Sequence, residues 1–279
     1  MALLRPVAQA IREADPQAQI IGGSGDGPLS DIVRQMMAAG LLDLIDILNL
    51  HLYPGSRAPE GYLADMDRLR RDMSRYGKPK PIWITEFSYY GADNLPRKPF
   101  LPEPNDWAQN RLLENERQCA DYTLRFSLIM LSKGVEKIHI HSGSSGSVNM
   151  PSLECCLLDY GGAPRKAAAA MAVLAGLLET AFRPVPSPQP ADDVYCAAFE
   201  TTHGSFVAVW SVVPGKTLRV PSGILGCLDA MGNALRGAAI SLSETPVYLL
   251  GRKGQAAAIV QKLTVSAAKK PSATKTRRQ

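Results

Sequence analysis

An alternation limits the fold of this chain more than any other feature. After one opening helical stretch, short apolar runs and long helical runs take turns four times between residues 18 and 178. The opening stretch, Ala2 to Ala14, sets Leu3, Leu4, Val7, Ala10 and Ile11 at helical spacing, with no N-cap ahead of it. Asp15-Pro16 ends it, because proline disfavours helical geometry in the residue before it. Ala18 to Ile21 then reads as a strand closed by Gly22-Gly23. A helix capped at Ser30 or Asp31 runs through Gly40. Asp46 to Leu52 is the second strand. Tyr62 to Tyr76 is an amphipathic helix, with Leu63, Met66, Leu69 and Met73 on one face and Gly77 as its C′ glycine. Pro81 to Ile84 is the third strand, followed by a Pro-rich loop from Leu95 to Asp106 and a helix from Asn110 to Lys133. Lys137 to Ile140 is the fourth strand, and Pro164 to Leu178 is an Ala-rich helix. Each crossover is long enough for parallel pairing, which places this part in the α/β class.

Beyond Leu178 the pattern changes. Arg183 to Asp193 carries four prolines and reads as a linker or an extended edge. Val194–Glu200, Ser205–Val213, Lys216–Val220, Leu225–Asp229, Ala238–Leu242 and Val247–Leu250 follow as closely spaced strand candidates. Turn dipeptides such as Pro214-Gly215 and Gly232-Asn233 separate them, and no helical period intervenes. This is the pattern of a small antiparallel β-sandwich. Gln255 to Ser266 fits helix and strand equally well.

Composition removes several function classes. Apolar residues make up 46% and charged residues 20%, ordinary values for a globular domain. No apolar run reaches the roughly 18 to 20 residues of a membrane span. The formal charge of +5 is carried by the end of the chain: Lys269 to Gln279 holds five basic residues and no acid. That segment reads as a disordered, solvated tail. No basic stripe interleaved with aromatics supports nucleic-acid binding, so neither nucleic acid nor membrane is an expected partner. Cys119, Cys155, Cys156, Cys196 and Cys227 form no Cys-x-x-Cys pair and no zinc spacing with histidine. His139 and His141 share a strand face, but no carboxylate stands at motif spacing from them. No metal and no cofactor is expected. Met1 to Ala10 lacks the charged region and apolar run of a signal peptide.

One acid stands out. Glu86 follows Ile82-Trp83-Ile84-Thr85 at the C-terminal end of the third strand, with Phe87, Tyr89 and Tyr90 after it. A carboxylate there is costly to desolvate, and in a parallel barrel that end of the strands holds the active site. The competing reading is a glutamate that simply leaves the strand into solvent or caps the next element.

The ordered set of local sequences resembles a known family. Glu13-Ala14-Asp15-Pro16 before Ile20-Ile21-Gly22-Gly23 is followed by His51-Leu52-Tyr53-Pro54-Gly55, Ile82-Trp83-Ile84-Thr85-Glu86-Phe87 and Ile138-His139-Ile140-His141. Leu157-Leu158-Asp159-Tyr160 and Pro164-Arg165-Lys166-Ala167 come next. Asp229-Ala230-Met231-Gly232-Asn233 and Thr245-Pro246-Val247-Tyr248-Leu249 complete the set. Over residues 3 to 252 the chain resembles the C-terminal half of a clan A glycoside hydrolase, a retaining (β/α)8 TIM-barrel glycosidase with an added β-domain, and is most similar to families 39 and 5. The resemblance implies a partial barrel of strands five to eight over residues 1–182, a β-sandwich domain over 183–252 and a weakly structured tail over 253–279.

It also implies a carbohydrate substrate, with Glu86 as nucleophile at the end of strand seven. Tyr53 is then the expected hydrogen-bond donor to Glu86. His51, on the same strand face as Tyr53, is either a sugar contact or a buried core histidine. His141 stands near the place of a sugar platform, and Tyr89, Tyr90 and Trp107 flank the Pro-rich loop as candidate stacking surfaces. Trp83 reads as core; Asn149 and Glu154 rank lower. The family's acid/base glutamate lies in an Asn-Glu-Pro type motif, and none occurs here, since Asn115-Glu116 is followed by Arg117 within a helix. The expectation is therefore an N-terminally truncated hydrolase. Its partner would be the missing half-barrel, or another copy joined through open strand edges. The alternative is a non-catalytic carbohydrate-binding or structural remnant.

Overall fold

The computed structural model describes residues 1–91, 112–141, 157–158 and 162–267. The chain divides into two compact units, Met1–Leu178 and Glu179–Gln279. Trp107, Asn149, Glu154, Cys155, Cys156, the Pro-rich loop and the basic tail lie outside the described residues.

The first unit is built on four parallel strands, β1 (Ile21–Asp26), β2 (Ile47–Leu52), β3 (Ile82–Phe87) and β6 (Val135–Ile140), in the order β1-β2-β3-β6. A short parallel pair, β4 (Tyr90–Gly91) with β5 (Leu112–Leu113), stands apart from this sheet. The helices are α1 (Leu4–Ala14), α2 (Asp31–Ala38), α3 (Tyr62–Tyr76), α4 (Glu116–Ser132) and α5 (Lys166–Leu178). One side of each strand supplies the core: Leu48, Leu50, Ile82, Ile84 and Phe87 are fully buried. Met66, Leu69 and Met73 of α3, with Val33 and Met37 of α2, are buried as well. Helix α4 buries residues on every side, including Leu124, Phe126, Leu128 and Met130, as a central helix must. The other sheet face carries Asn49, His51, Trp83, Thr85, Glu86, Lys137 and His139, none of them buried. On that face Trp83 is half-buried, donating to Glu136 Oε2 at 3.2 Å with Lys137 Nζ 3.8 Å above its ring, so it is not the core residue expected.

Several element ends differ from the sequence reading. Strand β1 begins at Ile21 instead of ending there, and Gly22, Gly23 and Gly25 lie inside it. These glycines answer to packing. A Cβ on Gly22 would lie 2.5 Å from Ile45 Cγ2, and one on Gly25 would lie 2.4 Å from Val33 Cγ2. Gly77 ends α3 with an extended backbone at φ 165. Left-handed C-terminal glycines stand instead at Gly40, φ 91 after α2, and at Gly134, φ 77 after α4. Helix α4 starts at Glu116 because Asn115 caps it, accepting from the Gln118 amide at 3.0 Å.

The apolar stripe of α1 does not reach a core. Leu3, Leu4, Val7 and Ile11 are exposed, and only Ala8 of this helix is buried. The helix is tied down by a polar clamp instead. Arg12 donates to the Ala18 carbonyl and, at 2.5 Å, to Asp46 Oδ2, which also accepts from the Ile20 amide at 2.7 Å. The Ile20 amide first, and Arg12 second, hold the Asp46 carboxyl below its ordinary value. A lowered pKa contributes stability above the unfolded-state value, and that contribution is lost as pH falls through the folded one. Asp46→Asn should therefore melt lower than wild type at pH 7, and the gap should close below about pH 4; melting curves at both pH values check this.

The second unit is antiparallel throughout. A six-stranded sheet runs β12-β11-β14-β9-β8-β7, and a three-stranded one runs β13-β10-β15. The strands are β7 (Phe182–Val185), β8 (Val194–Thr201), β9 (Gly204–Ser211), β10 (Lys216–Arg219), β11 (Gly226–Leu228), β12 (Ala234–Leu235), β13 (Ala239–Leu242), β14 (Val247–Arg252) and β15 (Thr264–Ala267). The Pro-rich segment expected as linker or edge starts as the edge strand β7, where a proline costs no interior ladder bond. The ambiguous stretch after residue 254 holds both candidates, helix α6 (Ala256–Gln261) and then β15. One apolar cluster draws Val207, Val209 and Leu249 from the larger sheet, Leu218 and Leu242 from the smaller, and Ala256 and Ile259 from α6. Asp229 closes the β11–β12 turn, accepting from the amides of Met231 and Asn233 at 2.9 and 2.8 Å.

Candidate active site

The site is assembled at the C-terminal ends of the parallel strands. Glu86 is positioned by its neighbours in sequence. Phe87 is fully buried and stacks on Phe126 of α4 with ring centroids 4.0 Å apart. Ile84, two residues before Glu86, is equally buried. Between these anchors β3 carries one more residue than β2, since Leu50 pairs with Ile84 and His51 with Glu86. The bulge turns Glu86 onto the open face, beside His51.

Tyr53 donates its hydroxyl to Glu86 Oε2 at 2.5 Å, and His51 Nδ1 lies 3.3 Å from the same oxygen. The far nitrogen of His51, Nε2, is 3.5 Å from Ser24 Oγ on β1. Both contacts are made to Oε2, and among the described residues no hydrogen bond or ion pair reaches Oε1. The Glu86 side chain is 36% exposed and His51 27%, so the group is reachable from solvent. His141 meets the Tyr53 ring edge-on, centroids 5.7 Å apart. Its place is fixed by its amide, which donates to the Phe87 carbonyl at 2.9 Å, and by its carbonyl, which accepts from Ser88 Oγ at 2.7 Å.

Beside Tyr53 opens a cleft of about 250 Å³ lined by Asp26, Gly27, Leu52, Tyr53 and Tyr62. Tyr62 opens α3, with the Arg57 guanidinium 4.1 Å above its ring. Burial raises the pKa of its phenol and Arg57 partly offsets that.

Four of the expected residues, Glu86, Tyr53, His51 and His141, therefore meet at one place. Tyr89 does not join them. It is fully buried, its hydroxyl donates to the Arg57 carbonyl at 2.7 Å, and its ring packs edge-on against Phe87 and Tyr122. It is a core residue, and the expectation of a stacking surface is withdrawn for it. Tyr90 is also buried, in β4. Trp107 lies outside the described residues. His139 sits on the open sheet face with its ring 6.4 Å from that of Trp83. Sequence reasoning missed Asp26, Ser24 and Tyr62. The available signal was Asp26 before Gly27, an acid leaving β1 as Glu86 leaves β3.

No family model and no curated protein matches the sequence. Solved structures do match its fold. A family 30 endoxylanase from Clostridium papyrosolvens superposes with TM-score 0.55 at 11% identity, over 89% of this chain and 60% of the other. A family 30 subfamily 8 xylanase from Clostridium acetobutylicum gives TM-score 0.54 at 11% identity, covering 88% and 58%. A family 51 α-L-arabinofuranosidase from Bifidobacterium longum gives 0.50 at 10%, covering 88% and 61%. The chain thus has a fold like that of these glycoside hydrolases, mixed α/β with parallel and antiparallel sheets, and spans about 60% of the length of the structures it matches.

Proposed function

We propose that this chain carries the nucleophile half of a retaining O-glycosyl hydrolase acting on a polysaccharide, oligosaccharide or glycoside. The observation that carries the reading is Glu86 at a strand's C-terminal end, with Tyr53, which lines the neighbouring cleft, donating to one of its carboxylate oxygens. The carboxylate attacks the anomeric carbon, the bond from that carbon to the leaving oxygen breaks, and the electron pair departs with the leaving group. Water then cleaves the glycosyl-enzyme ester. His51 and His141 contact the sugar beside it.

In this reading the parallel sheet corresponds to strands five to eight of a (β/α)8 barrel, and the second unit to a β-sandwich. Two observations support a missing cover: the exposed apolar stripe of α1, and a parallel sheet whose second face is open among the described residues. The cover is a further half-barrel, or a second copy joined through the strand edges. It also supplies the acid/base, because no Asn-Glu-Pro occurs in the sequence. That same lack favours a second reading, a carbohydrate-binding remnant without turnover.

A dinitrophenyl 2-deoxy-2-fluoroglycoside separates the two readings, because its leaving group departs without protonation and needs only a nucleophile. The chain is incubated with xylosyl, glucosyl and galactosyl versions and its intact mass is measured. Addition of one glycosyl group, mapped to Glu86, supports the hydrolase reading. Saturable sugar binding with no mass change supports the remnant.

A further inference from the structure

We propose that Asp26 is a second working carboxylate of this site, binding hydroxyls on the far side of the sugar ring whose anomeric carbon meets Glu86. The inference rests on the reading of Glu86 given above.

The first observation is register. Asp26 pairs with His51, and His51 pairs with Glu86, so the three residues form one row across β1, β2 and β3. Partners in a parallel register point to the same sheet face, and Glu86 and His51 already meet on that face.

The second observation is how the row arises. Strand β2 runs without a break, while both its neighbours carry an extra residue beside it. On β1 Gly23 pairs with Asn49 and Gly25 with Leu50, which leaves Ser24 over. On β3 Thr85 is left over in the same way. Without these bulges Gly25 and Thr85, in place of Asp26 and Glu86, would flank His51. Bulges of this kind re-aim side chains next to active sites. The one on β1 has a conformational cost, since Ser24 takes φ 60, a left-handed backbone that disfavours any side chain. Ser24 also sets its Oγ 3.5 Å from His51 Nε2, so the bulge both shifts Asp26 and abuts the central histidine.

The third observation is the cleft. Asp26 lines it together with Tyr53, the residue that donates to Glu86. Asp26 itself is exposed. Two strand spacings put its Cα about 9.5 Å from that of Glu86. That separation suits a group reaching the opposite side of one pyranose ring. A carboxylate accepts from neighbouring hydroxyls through charge-assisted hydrogen bonds, the stronger class.

The test uses the full chain and 2,4-dinitrophenyl 2-deoxy-2-fluoro-β-D-xyloside, glucoside and galactoside, which keep the hydroxyls at C3 and C4. Wild type is compared with Asp26→Asn, Asp26→Ala and a deletion of Ser24, each checked for an unchanged melting temperature; the two Asp26 variants alone suffice where the deletion fails to fold. The concentration dependence of labelling yields the half-saturation constant KI and the limiting first-order rate. Both Asp26 variants should raise KI by about 10-fold or more, the size of a lost charged hydrogen bond, with the limiting rate within about threefold of wild type. Deleting Ser24 should raise KI similarly. Labelling of Glu86 with KI unchanged in both Asp26 variants overturns this inference and leaves Glu86 as nucleophile. A fall in the limiting rate at constant KI also overturns it, by placing Asp26 in the bond-breaking step. Absence of labelling in the wild type overturns the Glu86 reading and this inference together.

Discussion

Glu86→Gln should leave the chain at its unlabelled mass under conditions where the wild type gains one glycosyl group. The amide keeps the size of the side chain and its acceptor for the Tyr53 hydroxyl, now 2.5 Å from Oε2. It removes the charge that attacks carbon. Loss of the nucleophile itself should slow labelling by at least about a thousandfold. Tyr53→Phe is the companion variant. It leaves the carboxylate in place and removes one donor that orients it, so labelling should persist at Glu86 but run about 10 to 100 times slower. Glu86 is a side chain 36% exposed on the open sheet face, so neither change should move the melting temperature by more than a degree or two. Rapid labelling of Glu86→Gln at another carboxylate would refute the assignment. Equal rates for Tyr53→Phe and wild type would remove Tyr53 from the machinery while sparing Glu86.

What the sequence made legible, and what it hid, follows from the kind of physics that fixes each feature. The sequence gives away helix α3 at its observed ends, Tyr62 and Tyr76, because its apolar period and the glycine after it are local signals. The row of strands was legible for the same reason, and so was the meeting of Glu86 with Tyr53, through position at two strand ends. The sequence places the first strand at Ala18 to Ile21, ahead of the observed β1, because Gly22-Gly23 looks like its end. Ile45 presses on the strand at Gly22, the Asn49 carbonyl at Gly23 and Val33 at Gly25, tertiary facts with no local trace. Tyr89 reads as a candidate stacking surface because it flanks the Pro-rich loop. The chain turns inward at Phe87, and the ring is buried beside Phe126 and Tyr122. The bulges at Ser24 and Thr85 decide which side chains reach the site. A bulge is a relation between two strands, so neither strand alone announces it.

Arg125 is the residue whose loss should damage the first unit most. It lies in α4 with its side chain 1% exposed, and its Nε is 3.2 Å from Oε1 of Glu60, itself 10% exposed. The two atoms are close enough for an ion pair, although Nε is not aligned as a hydrogen-bond donor. The guanidinium also sits 4.7 Å from the centre of the Tyr122 ring. Glu60 belongs to the short 3-10 turn, Pro59–Gly61, that leads into α3 and Tyr62 of the cleft. The pair therefore ties the segment between β2 and α3 to the central helix. Removing one partner of a buried pair strands the other charge away from water, at about 3 to 5 kcal/mol. Arg125→Met should lower the urea midpoint accordingly, and the melting temperature by about 10 °C at roughly 2 to 4 °C per kcal/mol. The double variant Glu60→Met with Arg125→Met should recover most of that loss, because both charges of the pair are then replaced by apolar side chains of similar length. Recovery is the informative result. A double variant as unstable as the single one would mean that Arg125 acts through packing and its ring contact with Tyr122, and a single variant within 1 kcal/mol of wild type would show that Glu60 finds water or another cation when Arg125 is gone.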